Sequence, residues 1–306
     1  MYVKASGGFL NELDAAAGWV EVDTAPILKT LKEDGLSGRE TSGAGQIDDA
    51  VKGSVAHAAA EGLRPSMETA FHALYHKYVL HTHSVFANIY LCSDHAEEIQ
   101  ECLPDREQYS SALLSDYYTP GAELSWILYE RFRFRPGMPQ ITLLPNHGII
   151  VSAGSLEEMI RLNDDFHLQL YRKLNLAESD YPGYSLQQKA DGYMLVCAYL
   201  QQYFERSGPA PQIFSDYLVP DHIVYLYPED YSTENRRAKI YFDRNEKVIH
   251  LNTGSKQAHA LAELMINNAF LHEQITGRGF EPLTINYDAD KLRNMGAERF
   301  RQKSME

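Results

Sequence analysis

His81 and His83 stand two apart in the run Tyr78-Val79-Leu80-His81-Thr82-His83. In an extended strand, residues two apart leave the same face, so this spacing predicts a strand that presents two imidazoles side by side. Upstream, Pro65-Ser66-Met67-Glu68 reads as a helix start, with Ser66 as N-cap and Glu68 in the first turn, where backbone N–H groups favour a carboxylate. Glu68, Phe71, His72 and Tyr75 then share one helical face. A third histidine, His147, lies in the turn Pro145-Asn146-His147-Gly148, between strands expected at 140–144 and 149–151.

Three imidazoles and a carboxylate in these contexts point to a divalent metal site. A His-x-His pair on a strand offers two ligands from a rigid element, and a turn between neighbouring strands offers a third. Gly148 allows close backbone approach, and Asn146 can orient a neighbour by hydrogen bonding. Zinc is the first expectation, although three histidines with water also suit manganese, cobalt or iron. The opposing reading is chance, since the chain has twelve histidines. Glu68 has three roles open to it: metal ligand, general acid/base beside a metal, or simple helix-start residue.

The chain is 306 residues long, enough for one sizeable domain or two smaller ones. Its formal net charge of −14 argues against generic binding to nucleic acid or anionic membranes. A locally positive pocket for a phosphorylated small molecule remains compatible with that charge. No apolar run has the length of a membrane helix, and the first residues lack a secretory signal pattern. Three sparse cysteines, Cys92, Cys102 and Cys197, without a Cys-x-x-Cys pair, fit a reducing cytoplasm.

Along the chain, strands are expected at 2–4 and 19–22, and a glycine turn at Ser6-Gly7-Gly8, whose N–H groups suit an anion. A helix is expected at 25–31, a loop over 34–48, and helix again over 47–61. Val85 to Leu91 reads as helix, as does Leu124 to Tyr129. Ser155-Leu156-Glu157-Glu158 is a capping box that opens a helix reaching about Tyr171. Residues 185–204 read as helix, and Leu218 to Leu226 as a turn and a buried strand. A strand pair at 239–242 and 247–251, then a helix over 257–273, complete the pattern. No repeat or heptad is present.

The segments Pro65-Ser66-Met67-Glu68, His81-Thr82-His83-Ser84 and Asn146-His147-Gly148 resemble, in order and spacing, the three signatures of the class II aldolase/adducin family. The likeness is greatest to the aldolase part of long proteins that join a rhamnulose-1-phosphate aldolase to an alcohol dehydrogenase. Lys4-Ala5-Ser6-Gly7-Gly8 and Pro220-Asp221-His222-Ile223-Val224 are similar to segments of that group. No dinucleotide-binding glycine fingerprint follows.

The resemblance implies a three-layer α/β/α sandwich around a mostly antiparallel central sheet. It implies residues 1–230 as the family domain and 231–306 as a strand-strand-helix extension packed on it. Homo-oligomers, commonly tetramers, are expected. His81, His83 and His147 would be the zinc ligands and Glu68 the catalytic acid/base. Ser66, Ser6 and Gly7 would lie by the substrate phosphate, with Asn146 counted among the substrate-binding candidates. Tyr117 and Tyr118 are the candidates for a catalytic tyrosine. Family members carry a Gly-Asn-x-Ser phosphate-site segment that has no counterpart in the five residues before Ser6, so a domain short at its N-terminus is expected.

The implied reaction is retro-aldol cleavage of a ketose 1-phosphate or related small sugar through a zinc-stabilised enediolate. A metal-dependent sugar-phosphate epimerase is the first alternative, because it uses the same chemistry, and a non-enzymatic adducin-like scaffold the second.

Overall fold

The computed structural model describes residues 1–8, 10, 13–34, 42–103, 112–135, 137–208 and 210–303. The chain opens with strands β1 (Tyr2–Lys4) and β2 (Trp19–Val22), helices α1 (Thr24–Asp34) and α2 (Ser42–Gly53), and strand β3 (Val55–Ala58). The short helix α3 (Thr69–His72), β4 (Tyr78–Thr82), α4 (Val85–Leu91), β5 (Leu113–Leu114) and α5 (Ala122–Phe132) follow. Next come β6 (Ile141–Leu144), β7 (Gly148–Ala153) and the long helix α6 (Leu156–Leu174). The remainder is β8 (Ser185–Lys189), β9 (Gly192–Val196), α7 (Ala198–Arg206), α8 (Pro220–Tyr225), β10 (Tyr231–Ser232), β11 (Ile240–Asp243), β12 (Val248–Leu251), α9 (Ser255–Gly277), α10 (Ala289–Asn294) and α11 (Gly296–Lys303).

The strands form three sheets, in the orders β1-β2-β3, β4-β7-β6-β5 and β10-β11-β12-β9-β8. The first is antiparallel throughout, and the third is antiparallel except where β10 runs parallel to β11. Two compact units divide the chain. One comprises Met1–Leu80, Ser111–Thr142 and Ile150–Arg161; the other comprises His81–Ser110, Leu143–Ile149 and Leu162–Glu306.

In the first unit, apolar residues four apart make one buried stripe on each helix: Ile27 and Leu31 on α1, Ile47 and Val51 on α2, Leu124 and Leu128 on α5. Val3, Ala5, Val20 and Val22 form a second small core under the β1-β2-β3 sheet. The Tyr75 hydroxyl donates to Thr142 Oγ1 at 2.8 Å, tying the segment after α3 to β6. Ser6-Gly7 makes the expected glycine turn, with Gly7 at φ 79°. The Ser6 N–H donates to the Arg64 carbonyl at 2.8 Å, and Ala5 bridges Pro65, so this turn lies alongside the approach to Ser66.

In the second unit, α9 is buried on most of its circumference, from Ala258 through Met265 and Phe270 to Ile275, as an apolar-all-round sequence requires. Phe86 of α4 meets Phe270 at 6.0 Å and Tyr171 at 4.9 Å between ring centroids.

Several expectations are corrected. The loop expected over 34–48 is helix from Ser42, because Ile47 and Val51 supply a buried face; residues 35–41 lie outside the described residues. The helix expected to 61 stops at Gly53, and Val55–Ala58 pairs with β2 instead. The helix expected over 185–204 is the β8–β9 hairpin followed by α7. Its two-residue turn is Ala190-Asp191, closed by the pairing of Lys189 with Gly192, which adopts φ 135°. The turn and buried strand expected within 218–226 are α8, opened by Pro220 at its first turn with Asp221 beside it, both favoured at a helix start. Two helices for which the sequence offered no expectation, α10 and α11, follow α9.

The helix start at 65–68 is also later than expected. Regular helix begins at Thr69, and Glu68 occupies the N-cap position. Ser66 still acts locally, because its Oγ accepts from the Glu68 N–H at 3.2 Å. At α6 the Ser155 Oγ accepts from the Glu158 N–H at 3.2 Å, but the Glu158 carboxylate accepts from Gln140 instead of returning to the cap, so half of the expected box forms.

Candidate metal centre

His81 lies on β4 and His83 just beyond its end, before Ser84 caps α4 by accepting from the Ala87 N–H at 3.4 Å. The strand-to-helix junction therefore fixes where both rings leave the chain. His147 comes from the turn between β6 and β7, where it is buried. That turn needs Asn146 at φ 52°, a left-handed conformation that asparagine tolerates better than most residues. The Asn146 N–H donates to Leu91 O at 2.9 Å, and Asn88 Nδ2 donates to the His147 carbonyl at 3.2 Å. Gly148 permits the close pass of this turn against Thr82 and His83.

The three imidazoles converge. Ring centroids stand 5.1 Å apart for His81 and His83, 4.9 Å for His81 and His147, and 4.8 Å for His83 and His147. Their ligating atoms all lie within 4.8 Å of one another. Three rings bound through one nitrogen each to a tetrahedral zinc, at bonds of about 2.05 Å, set their centroids roughly 5 Å apart. The observed triangle fits that donor set.

The outer nitrogens show which atoms face inward. His81 Nδ1 is 2.9 Å from the Ile149 carbonyl, which only accepts, so Nδ1 carries the proton. His83 Nδ1 is 3.0 Å from Asp221 Oδ2. In the neutral rings this places the lone pair on Nε2, the nitrogen a metal takes. The other oxygen of Asp221 accepts from Arg301 Nη2. Burial alone would raise the Asp221 carboxyl, but the Arg301 guanidinium and the hydrogen bond from His83 outweigh it and hold the group ionised, well below the usual carboxylate range. Next to it, His222 donates from Nε2 to Asn267 Oδ1 at 2.9 Å and accepts from the Leu218 N–H at 3.3 Å. Burial pushes its imidazole down to about 3, so it stays neutral.

The second unit thus brings together His81, His83 and His147. Asn146 stands beside them, but its amide donates to Leu218 O at 2.9 Å and Leu283 O at 2.6 Å. Those bonds hold the turn. In the first unit, Ser6, Gly7, Ser66 and Glu68 keep the places described above; Glu68 is half-buried and its side chain does not cap α3. Tyr117 and Tyr118, half-buried, precede α5 in the same unit. Sequence reasoning gave no role to Asp221 or Arg301. A proline-aspartate helix start was a signal for the first; nothing local pointed to the second.

Residues 1–170 match the model of the class II aldolase and adducin N-terminal domain. The chain belongs to the class II aldolase and adducin family. It has the α/β fold of that family's three-layer sandwich. A solved structure of the N-terminal class II aldolase domain of a conserved protein from Thermoplasma acidophilum is similar, at 20% identity and a TM-score of 0.45, over 56% of this chain and 73% of that one. No curated protein matches the chain. Family membership is consistent with metal-assisted aldolase-type chemistry, and the histidine cluster with a divalent metal site. Among the described residues, no helix is long and apolar enough to cross a membrane.

Proposed function

We propose that the chain is a metal-dependent aldolase-type lyase that cleaves a ketose 1-phosphate, with rhamnulose 1-phosphate the first substrate to assay. The observation that carries this reading is the convergence of three histidines, two of them with Nδ1 bound outward.

His81, His83 and His147 would hold the ion, zinc in the first instance, through their inward nitrogens. An ion held there would supply Lewis acidity for the negative charge that develops on the substrate when the carbon–carbon bond breaks. Glu68 is the proposed acid/base that exchanges a proton with the carbon left by bond cleavage. Ser66 and the Ser6-Gly7 turn are the proposed phosphate contacts, through the serine hydroxyls and the Gly7 N–H, since the Ser6 N–H is engaged by the Arg64 carbonyl. Asn146 acts by holding the His147 turn, because its amide hydrogens are engaged by two carbonyls.

In the same reading, residues 1–230 form the family domain and 231–306 extend it; the pairing of β12 with β9 supports this by joining the two in one sheet. A homo-oligomer, tetrameric as in many relatives, and a cytoplasmic location complete the proposal. Three buried free thiols suit a reducing compartment.

The test is elemental analysis of the purified protein and of His83→Ala, followed by assay with a panel of ketose 1-phosphates. About one ion per chain, lost in the variant, with release of dihydroxyacetone phosphate, is the expected result. An isomer in place of two fragments would make the protein an epimerase. No ion after reconstitution with zinc, manganese or cobalt would leave the adducin-like scaffold as the reading.

A further inference from the structure

Asp221 uses both carboxylate oxygens. Oδ2 meets His83 Nδ1 at 3.0 Å and Oδ1 accepts from Arg301 Nη2. Asp221 stands in the first turn of α8, and Arg301 comes from α11, far along the chain. Arg301 is itself held in place: its Nε donates to the Tyr225 hydroxyl at 3.0 Å and forms an ion pair with the buried Glu298 at 3.0 Å.

Helix α11, Gly-Ala-Glu-Arg-Phe-Arg-Gln-Lys, has little apolar surface with which to dock. Arg301 and Gln302 attach it to α8, and Glu298, three residues before Arg301, holds the guanidinium from within α11. Gln302 donates to the Val224 carbonyl at 2.6 Å and meets the Tyr227 hydroxyl at 3.0 Å. Because these docking contacts are polar, the charged contact of Arg301 with Asp221 weighs on how α11 docks.

The geometry points to Arg301 as a positioning residue for the metal centre: through Asp221 it orients His83, so that docking of α11 and occupancy of the three-histidine site are coupled. This rests on the proposed function. The physical steps are short. A carboxylate bonded at one oxygen can swing about its Cβ–Cγ bond; bonded at both, it has one orientation. That orientation fixes the His83 Nδ1–H, and with it the direction of the Nε2 lone pair. Coupling is reciprocal, so an ion that favours the ordered His83 must also favour the docked α11.

The test measures zinc and cobalt(II) affinity, by chelator competition and by the cobalt absorption spectrum, for the full chain and for Arg301→Gln, Arg301→Lys and Asp221→Asn. The expected result is a loss of about 10- to 100-fold for Asp221→Asn. Arg301→Gln should lose about 10-fold and show an altered cobalt spectrum. Arg301→Lys, which restores a charge without the fork, should recover part of that loss. In the unsubstituted protein, hydrogen exchange over 296–303 should slow when zinc is added. This second measurement decides the matter if Arg301→Gln does not fold. Unchanged affinity in folded Arg301→Gln, or exchange over 296–303 indifferent to zinc, overturns the coupling and leaves the proposed function standing. An unsubstituted protein that binds neither ion overturns both.

Discussion

Gly148 and Thr82 pass so closely that a β carbon on Gly148 would overlap the Thr82 carbonyl oxygen and stand 2.9 Å from the His83 Cα. The opposing atoms are backbone and cannot rotate away. The β6–β7 turn and the end of β4 therefore meet only because position 148 carries no side chain. This contact sets the separation of His147 from His83.

Gly148→Ala should consequently destabilise the protein by about 3 kcal/mol, the upper part of the range for overpacking a tight site. It should also reduce zinc affinity by spreading the histidines. Urea unfolding combined with a metal titration checks both; an alanine variant with unchanged midpoint and affinity would show that the backbone yields there at no cost.

Asn146 holds the same turn by two means, a left-handed backbone and two hydrogen bonds to the carbonyls of Leu218 and Leu283. Asn146→Ala loses both and should destabilise by about 2–4 kcal/mol. Asn146→Gly keeps the backbone conformation and should lose roughly half as much. Thermal denaturation of the two variants separates the contributions, and equal losses would assign the whole effect to the hydrogen bonds.

His222 makes stability depend on pH in a definite direction. In the unfolded chain the imidazole takes up its proton near 6.5, whereas in the folded protein burial delays this to about 3. Above 6.5 both states are neutral and the group contributes no slope. Between 6.5 and 3 the unfolded state binds the extra proton, so stability falls as pH falls, by at most about 1.4 kcal/mol per unit from this one group. Urea midpoints from pH 7 to pH 4 should show a shallower decline in His222→Gln than in the unsubstituted protein; parallel declines would rule His222 out as a source of the slope.

The thiols should be inert in the folded protein. Cys92, Cys102 and Cys197 are buried, and burial pushes the Cys102 thiol up to about 11 and Cys92 higher still. Titration with a disulfide reagent at pH 8 should find no fast-reacting thiol in the native state and three in denaturant. A fast native thiol would mean that one of these sites opens readily.

The four-residue spacing of Ile27 and Leu31, and of Leu124 and Leu128, was legible as helix because one buried stripe suffices to state it. The His-x-His alternation of β4 was legible for the same reason, since a period of two is a local property of backbone geometry. The misreadings came where a local signal was outweighed. Over 185–204 a helical composition gave way to the turn at Ala190-Asp191, closed by Gly192. At 220–225 an apolar run that reads as a strand is bent into α8 by Pro220.

The sequence by itself determined the family, the ligand candidates and most of the elements, because each depends on residue type and short-range spacing. Only the tertiary structure decided what stands behind the ligands. Asp221 lies 138 residues from His83, and Arg301 lies 80 from Asp221. No periodicity reaches across such separations. A hydrogen bond forms there when folding brings donor and acceptor within about 3 Å, and that proximity is a property of the packed chain rather than of any stretch of it.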